Sequence, residues 1–422
     1  MGQISERIEQ SKSSRAQISV LPWEIESVVT IRGSFQSNPD LAAGQGIVQD
    51  LAIGLLDKGT QSKSKLQIAS LLENAGASIS FSSDGPRIRF SAKCLKKDLE
   101  MVTELLAEQL SEPLFDEGEF SLLKQRVQAG IERRKQSTSS VARAALSRQL
   151  YSTSHPGYHH QFDELLEAVS STTLETVSTY FRGNTFFSNG HTVLVGDVNM
   201  SAAESHAQNW SDRLDLTPRT ESADHHEFGL ENPVAGREHV HIADRNNLDV
   251  LFGHSLDITS IDSDYLSLWI AVFVLGGNFS SRLMSTIRDR DGLTYGIRSS
   301  LSGMSSLHGG SWTTSVTLSQ ENLEKGIQAT QAEILKFTEG GVSEAELEER
   351  KQTMIGSYQV QLATTSGLAS RLLTNLERGY PKEMVDDHTR ELRELKLTKV
   401  NQMIGAYLRP DSLMITSAGT KI

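Results

Sequence analysis

Tyr180-Phe-Arg182 stands just ahead of one strand-like run, and Tyr407-Leu-Arg409 stands ahead of another, 227 residues later. Lys124 and Lys351, each inside a long polar helical pattern, have the same separation. Leu99-Glu100 and Leu323-Glu324 open corresponding helices 224 residues apart. Self-similarity at a nearly fixed offset means one supersecondary plan built twice. The repeated unit mixes strands and helices, so the expected fold class is α+β: two homologous lobes, each an antiparallel-rich sheet with helices packed on it.

The patterning supplies the elements. One or two strands are expected over 17–36, helices over 41–56 and 64–75, and a hairpin of 77–83 with 86–94 turning at Asp84-Gly85. Helices at 96–111, 117–137, 140–150 and 171–182 and a strand at 192–197 complete the first series. Residues 215–236, polar and broken by Pro218 and Pro233, read as a linker between an N-terminal lobe, 1–214, and a C-terminal lobe, 237–422. The series then restarts: strand 248–254, helices 263–275 and 280–290, strands 294–301 and 311–318, helices 321–338, 344–362, 366–378 and 397–407, and a strand at 412–417.

Composition excludes some classes of function. A net charge of −12 argues against general nucleic-acid binding, which needs a basic footprint. No apolar run is long enough to span a membrane. Residues 1–14 carry no apolar core, so no signal peptide is expected, and the cytoplasm is the default compartment. The single cysteine, Cys94, excludes an intrachain disulfide and a cysteine zinc cage and reads as a packing or surface thiol. His155, His159 and His160 share a loop and His225-His226 lie in the linker; both groups read as solvated rather than metal-binding. The acidic run Glu344-Ala-Glu-Leu-Glu-Glu349 and the pair Asp386-Asp387 read as solvated helix faces.

The stretch Leu275-Gly-Gly-Asn-Phe-Ser-Ser-Arg-Leu-Met-Ser-Thr-Ile-Arg-Asp-Arg-Asp-Gly-Leu-Thr-Tyr295 carries the chemistry. An apolar helix breaks at Gly276-Gly277, and a second, capped by Ser280 or Ser281, runs to Gly292. Arg288 then closes a helix and Tyr295 opens the next strand. A guanidinium and a phenol so placed could face one cleft and hold a peptide carbonyl or developing oxyanion; the same spacing also suits a surface arginine and a half-buried strand tyrosine.

That stretch is similar to the second-lobe signature of the pitrilysin/insulinase/mitochondrial-processing-peptidase family of inverted zincins. The first lobe resembles the family too, through Leu55-Leu-Asp-Lys-Gly-Thr60, His155-Pro156, Tyr180-Phe-Arg182 and Val195-Gly-Asp197. The resemblance implies half of a clamshell, and it implies that Arg288 and Tyr295 bind and polarise a substrate peptide. Catalytic members carry His-x-x-Glu-His on the helix before Lys-Gly-Thr, two imidazoles for zinc and a glutamate that activates water. The matching positions here are Asp50, Ile53 and Gly54, and a third ligand, glutamate in the family, falls on Gly130. No metal or cofactor is therefore expected in this chain.

With its zinc positions lost, the resemblance implies a non-catalytic, substrate-binding subunit of a heterodimeric zinc metalloendopeptidase acting on peptides or small unfolded proteins. Its partner would be a homologous subunit bearing His-x-x-Glu-His and the zinc, to whose site this chain supplies Arg288 and Tyr295. The alternative is a scaffold or peptide-binding protein of the same fold. The glycine-rich loop of presequence-recognising subunits is absent, since Gly277 leads straight to Asn278-Phe279.

Overall fold

The computed structural model describes residues 3–12, 16–23, 27–37, 42–183, 190–205, 228–231 and 234–421. They form two sheets. The first contains β1 (Glu9–Lys12), β2 (Ala16–Pro22), β3 (Val28–Gln36), β4 (Ser78–Ser83), β5 (Arg87–Leu95) and β6 (Gly190–Gly196), in the order β1-β2-β6-β3-β5-β4. The second contains β7 (Gly236–His241), β8 (Asn247–Leu256), β9 (Ile297–Ser302), β10 (Gly310–Ser319) and β11 (Met414–Gly419), in the order β7-β11-β8-β10-β9. Leave out β1 and the two orders are the same. Each has one parallel pair, β2 with β6 and β7 with β11, and its other pairs are antiparallel. The α+β repeat read from the sequence is thus present strand for strand.

The helices repeat as well. α1 (Ala43–Gly54), α2 (Lys65–Ala75), α3 (Leu99–Ser111), α4 (Glu117–Lys135), α5 (Thr138–Leu150), α6 (Phe162–Ser171) and α7 (Leu174–Gly183) belong to the first half. The second half has α8 (Tyr265–Gly276), α9 (Leu323–Gly340), α10 (Glu344–Leu362), α11 (Thr365–Glu377), α12 (Met384–Glu394) and α13 (Leu397–Tyr407). α4 and α10 share one length and the 227-residue offset, as do α5 and α11. Ser137 and Thr364 cap α5 and α11 alike, each hydroxyl accepting from the amide three residues on.

The repeated lysines have a structural task. The Lys124 ammonium donates to the carbonyls of Ser170 and Thr172, both at 2.8 Å, at the end of α6, and that of Lys351 donates to the Arg393 carbonyl in the last turn of α12. Each cation satisfies orphan carbonyls of a helix that is absent from the elements expected above. α12 is amphipathic but strongly polar, and only Val385 and Leu392 among its apolar residues are strongly buried. β1 and β7 are polar edge strands with little burial, which hides them equally.

Two compact units result. One comprises Met1–Ala129, Asp163–His226 and Tyr358–His388; the other comprises Gly130–Phe162, Glu227–Ser357 and Thr389–Ile422. Each therefore holds a sheet from one half of the sequence and a helix from the other half: α11 lies on β3 and β6, and α5 lies on β8, β11 and β7. Most of the expected linker lies outside the described residues. Within its described part, the Ser152 amide donates to Gly229 and the Glu231 amide to Leu150, and Gly236 already opens β7.

In the second unit one sheet face packs on α8, α9 and α13 around Phe252, Trp312, Val316, Leu268 and Ile334. The other face packs on α5 through Val141, Ala142, Leu146 and Leu150 against Leu251 and Ala418. In the first unit Asp386 is no solvated acid: its carboxylate accepts from the amides of Ile4 and Ser5 at 3.0 and 2.8 Å, holding the start of the chain.

Because α5 packs on β8 and β11 and Leu146 is 2% exposed, Leu146→Ala is expected to destabilise the protein by about 2–5 kcal/mol. Urea unfolding of wild type and variant measures this as a lower midpoint.

Candidate functional site

The site begins where α8 stops. A Cβ on Gly276 would lie 2.3 Å from the Ser299 amide nitrogen of β9, and one on Gly277 would lie 2.2 Å from the Phe273 ring. Only glycine lets α8 run this close to β9. The following segment is not the serine-capped α-helix that spacing suggests. Met284–Arg290 is π-helical, with the Asp291 amide donating to Thr286 and the Leu293 amide to Ile287, both at 3.0 Å. No side-chain cap forms; the Ser281 hydroxyl is buried with no hydrogen-bond partner among the described residues. Short π turns inside helices are rare and concentrate at functional sites, because the extra residue per turn re-aims side chains.

Two guanidiniums hold this segment instead of a cap. Arg282 grips both oxygens of Glu346 and donates to the Gly341 carbonyl at 2.8 Å. The same carboxylate accepts from the amide and hydroxyl of Ser343, closing the first turn of α10. Arg350, almost wholly buried, donates to the hydroxyl and carbonyl of Ser280 at 2.7 and 2.8 Å. Of the acidic run expected to be solvated, Glu346 is therefore a structural anion, and the Arg282 hydrogen bonds pull its pKa down to about 2.

The segment brings together the residues singled out in the sequence. The Arg288 Cζ sits 5.2 Å from the Tyr295 ring centroid and 5.6 Å from that of Phe279, within cation–π range of both. Tyr295 does not open a strand: it lies in a bend, 87% exposed, and β9 starts two residues later at Ile297. Phe279, 77% exposed, is a third member that spacing did not single out. An aromatic placed directly after a Gly-Gly-Asn break was its only signal.

Phe279 also lines a groove of about 400 Å³. Its floor is one face of β8, β10 and β9, where Thr317 pairs with Asp249 and Ser315 pairs with Leu251 on one side and Arg298 on the other. Ser139 and Arg143 of α5 form a wall, and Gly276–Phe279 the far end. α5 covers β8 and β11, and the groove is where that cover ends. Both Asp249 oxygens accept threonine hydroxyls, from Thr138 and Thr317, each at 2.6 Å.

The zinc positions of the resembling family are chemically unfit for a metal. Asp50 is exposed and accepts from the Ser83 hydroxyl, Ile53 is buried, and Gly54 and Gly130 have no side chain. Gln49, beside them, is buried and bonded to the Gly85 carbonyl and the Tyr180 hydroxyl, so α1 is braced by neutral hydrogen bonds. Among the described residues, no three His, Cys, Asp or Glu side chains converge as a metal requires. His155 departs from the solvated reading. It is 1% exposed, stacked on Tyr151, and pushed down to about 4 by burial and then by His308. His159 is exposed, and His225-His226 lie outside the described residues. Cys94 is a packing thiol, buried and pushed up to about 11.

Two sheets of one topology, an Arg/Tyr pair on the turn before β9 and an altered first-lobe helix define an inverted-zincin fold without its metal ligands. Residues 52–160 match the family described as insulinase (peptidase family M16), and residues 173–354 match the peptidase M16 inactive domain. The chain belongs to the M16 peptidase family, as a non-catalytic member. It is 22% identical over 369 residues to the non-peptidase homolog YmxG of Helicobacter pylori, covering 87% of this chain and 83% of that protein. It is 23% identical over 354 residues to an uncharacterized zinc protease YmxG of Bacillus subtilis, covering 82% and 81%. The crystal structure of a peptidase M16 inactive domain from Pseudomonas fluorescens superposes with a TM-score of 0.88 at 24% identity, over 98% of both chains. The periplasmic protease PqqL of Escherichia coli superposes at 0.80 and 15% identity, over 99% of this chain but 46% of PqqL. No helix among the described residues is long and apolar enough to cross a membrane.

The Arg282–Glu346 anchor carries a pH signature. A depressed carboxyl stabilises fully above its unfolded value near 4.5 and loses that contribution as pH falls toward about 2. Glu346→Gln is expected to cost about 1–2 kcal/mol near neutrality, discounted for the partial exposure of the pair. Thermal unfolding from pH 7 to pH 3 should show the gap between wild type and variant constant above pH 5 and narrowing below 4.5.

Proposed function

We propose that this chain is the substrate-binding, non-catalytic subunit of a two-chain zinc metalloendopeptidase. The observation that carries this reading is the clustering of Arg288 and Tyr295 with Phe279, which lines a groove of about 400 Å³, in a chain whose own zinc positions hold Asp50, Ile53, Gly54 and Gly130. A homologous partner bearing His-x-x-Glu-His would supply the metal and its activated water. In this chain the Arg288 guanidinium and the Tyr295 hydroxyl would donate to the scissile carbonyl of an extended peptide, holding it and stabilising the negative charge that develops on its oxygen. Both rings lie within cation–π range of the guanidinium, and its Nε lies 3.8 Å from the Asp289 carboxylate, so donation to a substrate carbonyl would use its remaining N–H groups. That PqqL is about twice this chain's length fits a design in which such a unit is one half of the working enzyme.

A scaffold role, without peptide turnover in any complex, is the second reading. It is favoured by relatives named a non-peptidase homolog and an inactive domain. The cytoplasm remains our proposed compartment, to be checked by fractionation, since one structural neighbour is a periplasmic protease.

The test is Arg288→Ala with Tyr295→Phe in the complex purified from native extract. We expect peptide cleavage to fall by about 10²–10³ in kcat with assembly intact on size exclusion. Unchanged turnover removes the clamp role, and a complex that holds no zinc and cleaves no peptide establishes the scaffold.

A further inference from the structure

Phe279 has nothing to donate to a carbonyl, yet the fold fixes the turn that carries it. Before it, Gly277 has no room for a side chain against the Phe273 ring. Across it, the Asn278 side-chain oxygen accepts from the Ser280 amide and hydroxyl at 3.2 and 3.3 Å, and the Asn278 carbonyl accepts from the Ser281 amide. The buried Arg350 then ties Ser280 down. The one large side chain on this braced turn is a phenyl ring, 77% exposed. A rigid, exposed aromatic loses little entropy on meeting a ligand, which suits it to anchor one.

Of the three clustered residues, only Phe279 also lines the groove. A peptide held by the clamp and continuing into the groove passes this ring. The Arg288 Cζ lies 5.6 Å from the ring centroid. An extended chain advances about 3.3 Å per residue, with every second side chain on the same side. A carbonyl held at Arg288 thus leaves a side chain one or two residues away within reach of the ring.

We infer that Phe279 determines substrate specificity: its ring receives a large apolar side chain of the peptide, one or two residues from the carbonyl that Arg288 and Tyr295 hold. The inference rests on the proposal that this chain holds the scissile peptide, and it names which peptides. Other side chains fit the cluster poorly. A lysine or arginine over the ring would meet the like charge of Arg288, which already has a cation–π contact there. A glutamate or aspartate would pair with Arg288 and take the N–H groups that the carbonyl needs. A small polar side chain would leave the ring in water. Leucine or phenylalanine removes apolar surface of both partners from water and leaves the guanidinium to the carbonyl.

The experiment uses the native complex carrying wild-type chain, Phe279→Ala or Phe279→Leu, and fluorescence-quenched peptides of one sequence. Product masses locate the bond cleaved, and the two residues on each side of it are replaced one at a time by leucine or serine. At one of these positions leucine should raise kcat/KM at least about tenfold over serine. In Phe279→Ala that ratio should fall below about threefold. Phe279→Leu keeps an apolar contact but offers the guanidinium no ring, and it should keep most of the ratio. Absence of a leucine preference in the wild type overturns the inference and leaves the clamp standing. An equal loss for leucine and serine peptides in both variants, with the ratio intact, also overturns it, because the ring then serves only to hold Arg288. The reading beneath fails differently: the complex with Arg288→Ala/Tyr295→Phe cleaves every peptide as wild type does, or the wild-type complex cleaves none, and the inference falls with it.

Discussion

A five-stranded sheet has two faces to bury, and in the second unit the helix that buries the second face comes from the other half of the sequence. α5 lays Val141, Ala142, Leu146 and Leu150 over β8, β11 and β7, and its alanines let it sit close to the strands. The Thr416 hydroxyl donates to the Ala142 carbonyl, fixing helix and strand in register. The groove of the candidate site follows from where this cover stops. β10 and β9 carry the same sheet face onward, and the uncovered part becomes a groove with α5 for a wall. The hydrophobic effect thus determines the site by its limits as much as by its core, since a helix of α5's length covers only some of the strands.

The second determinant is local and electrostatic. The chain from Gly276 to Arg298 must leave α8, pass through the π-helical turn and enter β9. Glycine at 276 admits the close approach to Ser299, and buried or half-buried guanidiniums at 282 and 350 secure the backbone that follows. Both interactions are stronger than exposed pairs because their carboxylate and carbonyl partners are partly desolvated. This rigidity explains how a π turn, unfavourable in isolation, persists and aims Arg288 between two rings. It also sets the contrast with α1 in the first unit, where Gln49 and Tyr180 brace the helix by neutral hydrogen bonds.

The repeat was legible because it is a property of order and offset. Lys124 and Lys351, or Tyr180 and Tyr407, can be paired without knowing what they touch, and their tasks prove equivalent. The lysines cap helix C-termini, while the tyrosines donate to the first helix of each lobe or its N-cap, at Gln49 and Asp264. Arg288 and Tyr295 were also legible as a pair. Their mutual geometry was not, because a π turn has no sequence period of its own and the bend at Tyr295 follows from packing. Phe279, Arg143 and Arg298 were invisible as a group for a plainer reason: they come from separate elements, one of them more than a hundred residues from the others.

The sequence by itself determined that this chain is an α+β protein built twice, that it belongs among the M16 peptidases, and that imidazole and carboxylate are missing where the family places zinc. Those are statements about residue type at fixed spacing, which a linear text preserves. Only the tertiary structure decided that each unit takes a helix from the other half of the sequence, that His155 is buried and Glu346 is a structural anion, and that Arg288 meets Tyr295 and Phe279 beside a groove walled by α5. Each of these depends on which surfaces remain to be covered once local structure has formed, and long-range burial, not local spacing, settles that.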